Sequence, residues 1–161
     1  MKFSNIINVS LIYATFRAST PIIYAALCAA ITQQANILNV GTEGIMLMGA
    51  FMAVAISYTT GSWMLGVLAA MLSGMFMAWI IAIGHIRYKA DNCAIGMGVN
   101  LLAVALTKYL LNAILGQQGS FSDPKIIGIP KVHIPFLKNI PVLNDIFNDW
   151  SITEWFVIIL V

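Results

Sequence analysis

GIMLMGAFMAVAISYTTGSWMLGVLAAMLSGMFMAWIIAIGHI, residues 44–86, holds no Asp, Glu, Lys or Arg in 43 consecutive positions. A helix that crosses a bilayer needs about 20 apolar residues. The stretch is therefore long enough for two spans, with Thr59-Thr60-Gly61-Ser62 as the polar turn between them. Residues 18–42 are equally free of charge, and Glu43 alone separates the two stretches. Over the whole chain 60% of residues are hydrophobic and 9% charged, against roughly 45–50% and about 25% in soluble domains. Eight basic and six acidic side chains cannot clothe a water-soluble fold of this length. Apolar segments recur along the chain, which a secretory signal peptide does not do. The fold class is all-α: a polytopic transmembrane helical bundle in a lipid bilayer, with about four spans and the start of a fifth.

The spans are expected at about 6–31, 45–58, 63–84 and 94–115. The first is the least regular, because Asn8, Arg17 and Pro21 interrupt it and Pro21 removes a backbone donor. The second is short and is open to an earlier start or a re-entrant course. Asn100, Thr107 and Lys108 interrupt the fourth. Residues 116–150 carry Pro124, Pro130, Pro135 and Pro141, too broken for a span, and read as a water-facing loop with a short helix near 142–147. From about residue 153 a fifth apolar run begins. Its seven residues 155–161 reach only about 10 Å at 1.5 Å per residue, against a hydrocarbon core of roughly 30 Å. The expectation is that residues 1–161 form the N-terminal half of a longer transmembrane domain.

Charge sets the expected orientation. The short segment His85-Ile86-Arg87-Tyr88-Lys89 is the clearest basic hinge, so the positive-inside rule puts it in the cytoplasm. Residues 33–44 then share that side. Residues 59–62, the 116–150 loop and the N-terminus lie outside, although Lys2 and Arg17 lean the other way.

The chemistry-bearing residues are few. The net charge of +2 and the lack of a Lys/Arg cluster give no footprint for nucleic acid. Cys28 and Cys93 have no metal-type spacing and read as free thiols buried in apolar segments. His85 and His133 are expected on opposite sides of the membrane, and no His/Cys/Asp/Glu set has ligand spacing. Gly96-Met97-Gly98 follows no strand and is no nucleotide site. With no phosphate-binding loop of the GxxxxGK[ST] type, any ATP would be bound by another chain, and no cofactor is expected in this one. Small residues recur every fourth position at Gly66, Ala70, Gly74 and Ala78. They suit a helix–helix seam, and ordinary membrane-helix composition explains them equally well.

Asn39-Val40-Gly41-Thr42-Glu43-Gly44 opens the second span. Thr42 or the nearby backbone can cap that helix, and Glu43 in its first turn is favoured by the macrodipole. The glycines allow a tight turn and close packing. A lone acid at a membrane boundary is also a functional candidate. Asn100 could hydrogen-bond either a substrate or a neighbouring helix.

Those residues carry a resemblance. Ser19-Thr20-Pro21-Ile22-Ile23-Tyr24, then Asn39-Val40-Gly41-Thr42-Glu43-Gly44-Ile45-Met46, is similar to the start of bacterial ABC-transporter permeases. The group it resembles is the simple-sugar and nucleoside importers among the branched-chain amino acid/ribose-type permeases. Tyr88-Lys89-Ala90-Asp91-Asn92 with Gly96 and Asn100, and Ile134-Pro135 followed by Ile140-Pro141, resemble later parts of the same pattern in the same order. Gln33-Gln34 stands where members often have Glu-Arg, and Asn36 where they have Gly, which removes an ionic contact there. Asn36 can still take a left-handed conformation.

The resemblance implies a translocation subunit of the bacterial cell (inner) membrane, not itself an enzyme. The implied partners are a second permease subunit, cytoplasmic ATP-binding subunits and an extracytoplasmic substrate-binding lipoprotein. Asn39, Gly41, Glu43 and Gly44 become candidates for a conformational or gating element. Arg87, Lys89 and Asp91 become a cytoplasmic turn near the ATPase, Asn100 a substrate-path candidate, and residues 130–141 a surface for the binding protein. Two other classes compete. A secondary transporter or channel working without ATP would place ionisable residues deep in its spans, where only Arg17 and Lys108 qualify. A membrane-embedded enzyme would need a Ser/His, two-Asp or zinc constellation, and none is present.

Overall fold

The structure, a computed structural model, describes residues 9–116, 119, 126, 128–130 and 151–160. Among the described residues five helices run in order: α1 (Val9–Gln34), α2 (Thr42–Thr60), α3 (Trp63–Ile86), α4 (Asn92–Leu115) and α5 (Ile152–Leu160). Four of them are long and apolar enough to cross a membrane. At 1.5 Å per residue, α2 measures about 28 Å and α3 and α4 about 36 Å. The helix expected near 142–147 and most of the 116–150 loop lie outside the described residues.

The ends follow local chemistry. Helix α1 runs three residues beyond the expected end at 31, and residues 6–8 of the expected span lie outside the described residues. It continues through Pro21, with Ser19 and Thr20 donating their hydroxyls to the carbonyls of Thr15 and Phe16. Its last turn closes on Asn36, which sits at φ 59°. Ile37 N–H bonds Thr32 C=O at 3.1 Å and Asn36 N–H bonds Gln33 C=O at 3.0 Å. That pair of bonds is the Schellman closure, which needs a left-handed residue at the exit. Helix α2 is one continuous 19-residue helix, three residues earlier in start than the expected span, and stops at left-handed Gly61. Asp91 starts α4 by accepting hydrogen bonds from Cys93 N–H (2.9 Å) and Ala94 N–H (3.1 Å), a standard N-cap. Helix α5 starts on one half of a capping box: the Glu154 carboxylate accepts from Ser151 N–H at 2.7 Å.

The chain divides into two compact units, residues 1–26 with 129–161 and residues 27–128. In the first, the Tyr24 hydroxyl donates to the Thr153 carbonyl at 2.8 Å. The second holds the α2–α3–α4 bundle around Met48, Met77, Ile81 and Val99. Its tightest seam joins α2 and α3 antiparallel. A Cβ added to Gly66 would lie 2.8 Å from Ala53 O, one on Gly49 3.7 Å from Ala70 O, and one on Gly74 3.6 Å from Ile45 Cγ2. The small-residue stripe of α3 is thus a packing seam from Gly66 to Gly74, and Ala78 lies exposed beyond it.

Leu68, Leu72, Met75, Phe76 and Trp79 of α3 are exposed. A soluble domain buries such a stripe, whereas hydrocarbon solvates it. The cysteines depart from expectation. Cys28 is exposed and Cys93 only half-buried, because both lie off the packed faces.

Candidate functional site

The loop before α2 and the first three turns of α4 meet at the end of the bundle that also holds the α3–α4 turn. Asn39 Oδ1 accepts from Gly41 N–H at 3.1 Å, and Thr42 Oγ1 donates to Asn39 C=O at 3.0 Å. This folds residues 39–42 into a local turn. Of the two expected caps, Thr42 or the nearby backbone, Thr42 is ruled out: it is the first helical residue, Gly41 is the N-cap residue, and its position makes no side-chain cap hydrogen bond.

Asn100 of α4 supplies what is missing. Its Oδ1 accepts from Gly44 N–H at 2.7 Å, and its Nδ2 donates to Val40 C=O at 3.0 Å. Gly44 N–H is one of the first-turn donors that a helix leaves without an internal partner. One amide side chain therefore ties the entry loop and the first turn of α2 to α4 across 56 residues of sequence. Asn100 lies in the helix contact, with both ends of its amide engaged.

Glycines make the approach possible. A Cβ on Gly44 would lie 2.8 Å from Asn100 Oδ1, 2.9 Å from Asn100 Cα and 3.1 Å from Val99 O. One on Gly96 would lie 2.8 Å from Gly41 N and 3.1 Å from Val40 C, and one on Gly41 would lie 2.7 Å from Ile81 Cδ1. Gly96 and Asn100 are four apart and share one face of α4. Gly98, two residues on, meets nothing within 4 Å. Sequence reading placed Gly96 in a GxG run and, with Asn100, in the family resemblance, but gave it no packing role. The i, i+4 pairing with Asn100 is the signal that marks its packing role.

The other candidate residues stay apart from this contact. Glu43 is exposed in the first turn of α2 and makes no ion pair among the described residues. Arg87, Lys89 and Asp91 occupy the α3–α4 turn and are all exposed. Lys89 is left-handed at φ 51°, and the turn closes with Ala90 N–H on Gly84 C=O at 3.3 Å. Between the turn and the α1–α2 loop lies a 170 Å³ apolar cavity lined by Thr32, Ile37, Asn39, Ile81, His85 and Ile86 among others. Among the described residues no group of three His, Cys, Asp or Glu side chains gathers as a metal site.

Four membrane-length helices with apolar outward faces define a multi-pass integral membrane protein, and among the described residues its polar groups meet in a glycine-and-asparagine contact. The chain belongs to the family described as the permease component of branched-chain amino acid transport systems, whose pattern it matches over residues 11–161. Among curated proteins it is 33% identical over 150 residues to the nucleoside ABC transporter permease NupC of Lactococcus lactis, a match covering 89% of this chain and 46% of that one. It is 32% identical over 151 residues to the guanosine ABC transporter permease NupQ of Bacillus subtilis, covering 89% of this chain and 45% of that one. The chain thus spans about half the length of these relatives. No solved structure matches it.

Proposed function

We propose that this chain supplies the N-terminal half of a permease subunit of an ATP-driven importer for nucleosides or sugars. The observation that carries the reading is family membership over residues 11–161 together with two relatives named as nucleoside-type permeases. In this reading two such subunits form the pathway. Cytoplasmic ATP-binding subunits drive it, and an extracytoplasmic lipoprotein delivers the solute. The chain itself is no enzyme and binds no cofactor; ATP is hydrolysed in the partner subunits.

The α1–α2 loop and the α3–α4 turn face the cytoplasm, since Arg87 and Lys89 concentrate positive charge there. Asn39, Gly41, Glu43 and Gly44 form a conformational element. The Asn100 contact supports that role, because a hydrogen-bonded glycine joint can hold one arrangement and be broken as a unit. Glu43, exposed beside it, is the group free to meet a moving partner. Arg87, Lys89 and Asp91 lie toward the ATPase side.

The test is reconstitution of the full-length permease with its ATPase and binding protein, read as ATP-dependent uptake of labelled nucleosides and sugars. Uptake driven by an ion gradient without ATP would overturn the reading. Glu43→Gln lowers uptake while leaving membrane insertion intact; unchanged uptake would leave Glu43 a helix-end charge only.

A further inference from the structure

Lys108 is the one charged side chain in α4. It lies five residues beyond buried Ala103, about 140° around a helix of 3.6 residues per turn. Leu106 and Leu110 pack against the buried cluster, while Lys108, Tyr109 and Asn112 are exposed on other faces. A 370 Å³ cavity opens there, lined by Lys108, Tyr109, Leu111, Asn112 and Gly119. Lys108 makes no ion pair among the described residues.

Its ammonium needs either a polar partner or a path to the membrane interface. Seven residues separate it from the end of α4 at Leu115, about 10 Å along the axis, so its Cα falls inside a roughly 30 Å hydrocarbon core. It also lies toward the end of α4 opposite the Arg87 and Lys89 turn, against the bias of positive charge to one side. A charge at such depth typically faces a bundle interior or a water-filled cavity.

We propose that Lys108, Tyr109 and Asn112 form a solute site on the external side of the permease, taking a neutral polyhydroxylated molecule with a hydrogen-bonding ring edge, a nucleoside in chemical class. The inference rests on the importer reading above. The lysine ammonium brings three donors for hydroxyl or carbonyl oxygens, and the asparagine amide both donates and accepts, matching an amide-like base edge. The tyrosine ring offers a stacking face. The volume falls within the range of roughly 300–1,000 Å³ for small-molecule pockets.

The experiment uses the full-length permease with its ATPase and binding protein in proteoliposomes, with uridine and guanosine as probes. In a cysteine-free background, Leu111→Cys, which lines the cavity and leaves Lys108 in place, reacts with a charged thiol reagent added outside, and added nucleoside slows that reaction about tenfold, a change of about 1.4 kcal/mol in site occupancy terms. Lys108→Met lowers uptake about tenfold with insertion and ATP hydrolysis retained, and Lys108→Arg and Asn112→Ala fall between. A thiol that resists the aqueous reagent, or whose reaction nucleoside leaves unchanged, overturns the site. So does a Lys108→Met defect that vanishes in liposomes free of anionic phospholipid, which assigns the lysine to a lipid headgroup. Wild-type uptake with unaltered Lys108 variants sinks the site and spares the importer reading. A wild-type protein that imports neither nucleosides nor sugars sinks both.

Discussion

Asn100→Ala tests the joint between α2 and α4. The substitution removes an acceptor 2.7 Å from Gly44 N–H and a donor 3.0 Å from Val40 C=O. Hydrogen bonds between membrane helices average about 0.6 kcal/mol and reach about 1.7, while a buried backbone group left unsatisfied costs about 1–3 kcal/mol. The site lies at a helix end, where water can reach part of it, so the lower range applies to each bond. The expected loss is about 2 kcal/mol in all, near a thirtyfold shift in the folding equilibrium. Gly44→Ala adds a different penalty. Two of the three atoms its Cβ meets, Asn100 Cα at 2.9 Å and Val99 O at 3.1 Å, are backbone and cannot rotate away. Overpacking of this kind costs about 1–3 kcal/mol. The double variant therefore regains only the part of the clash due to Asn100 Oδ1 at 2.8 Å, because truncating Asn100 leaves both backbone contacts in place. The assay is reversible unfolding of the full-length protein in bicelles, by steric trapping, on the two single variants and the double. A loss below about 0.5 kcal/mol for Asn100→Ala, the range of inert surface changes, refutes the joint. Complete loss of the Gly44→Ala penalty in the double variant refutes the backbone-clash argument.

Three further outcomes follow from the same packing. Gly66→Ala destabilises by about 1–3 kcal/mol, since its Cβ would lie 2.8 Å from Ala53 O, while Gly98→Ala, with nothing within 4 Å, is close to neutral in the same unfolding measurement. Asp91→Ala loses the α4 cap and about 1 kcal/mol; Asp91→Asn, which keeps an acceptor for Cys93 and Ala94 N–H, retains most of it. Asn36→Gly stabilises and Asn36→Ala destabilises, each by about 0.5–1 kcal/mol, because residue 36 sits at φ 59°; equal stabilities would contradict that conformation.

The helices were largely legible because hydropathy is a local quantity. The 43 uncharged residues at 44–86 announce two spans whatever surrounds them, whereas the caps at Asp91 and at Ser151 with Glu154, local as they are, were not singled out. The Gly66–Gly74 stripe was visible too, but its partner was not. The complementary row Ile45, Gly49, Ala53 and Ser57 is equally regular, yet nothing local says that the two rows face each other.

For the candidate site the division is sharper. Sequence alone marked Asn39, Gly41, Glu43, Gly44 and Asn100 as unusual for their surroundings, since polar groups and glycines stand out against an apolar background. What it determined was the bilayer, the helical class and this short roster. Only the tertiary structure decided that Asn100 caps α2 from another helix, that Gly96 is where Val40 and Gly41 lie against α4, and that Lys108 turns away from the packed face. The physical reason is distance along the chain. Hydropathy and capping act within one helix, while a hydrogen bond spanning 56 residues exists only once α2 and α4 have packed.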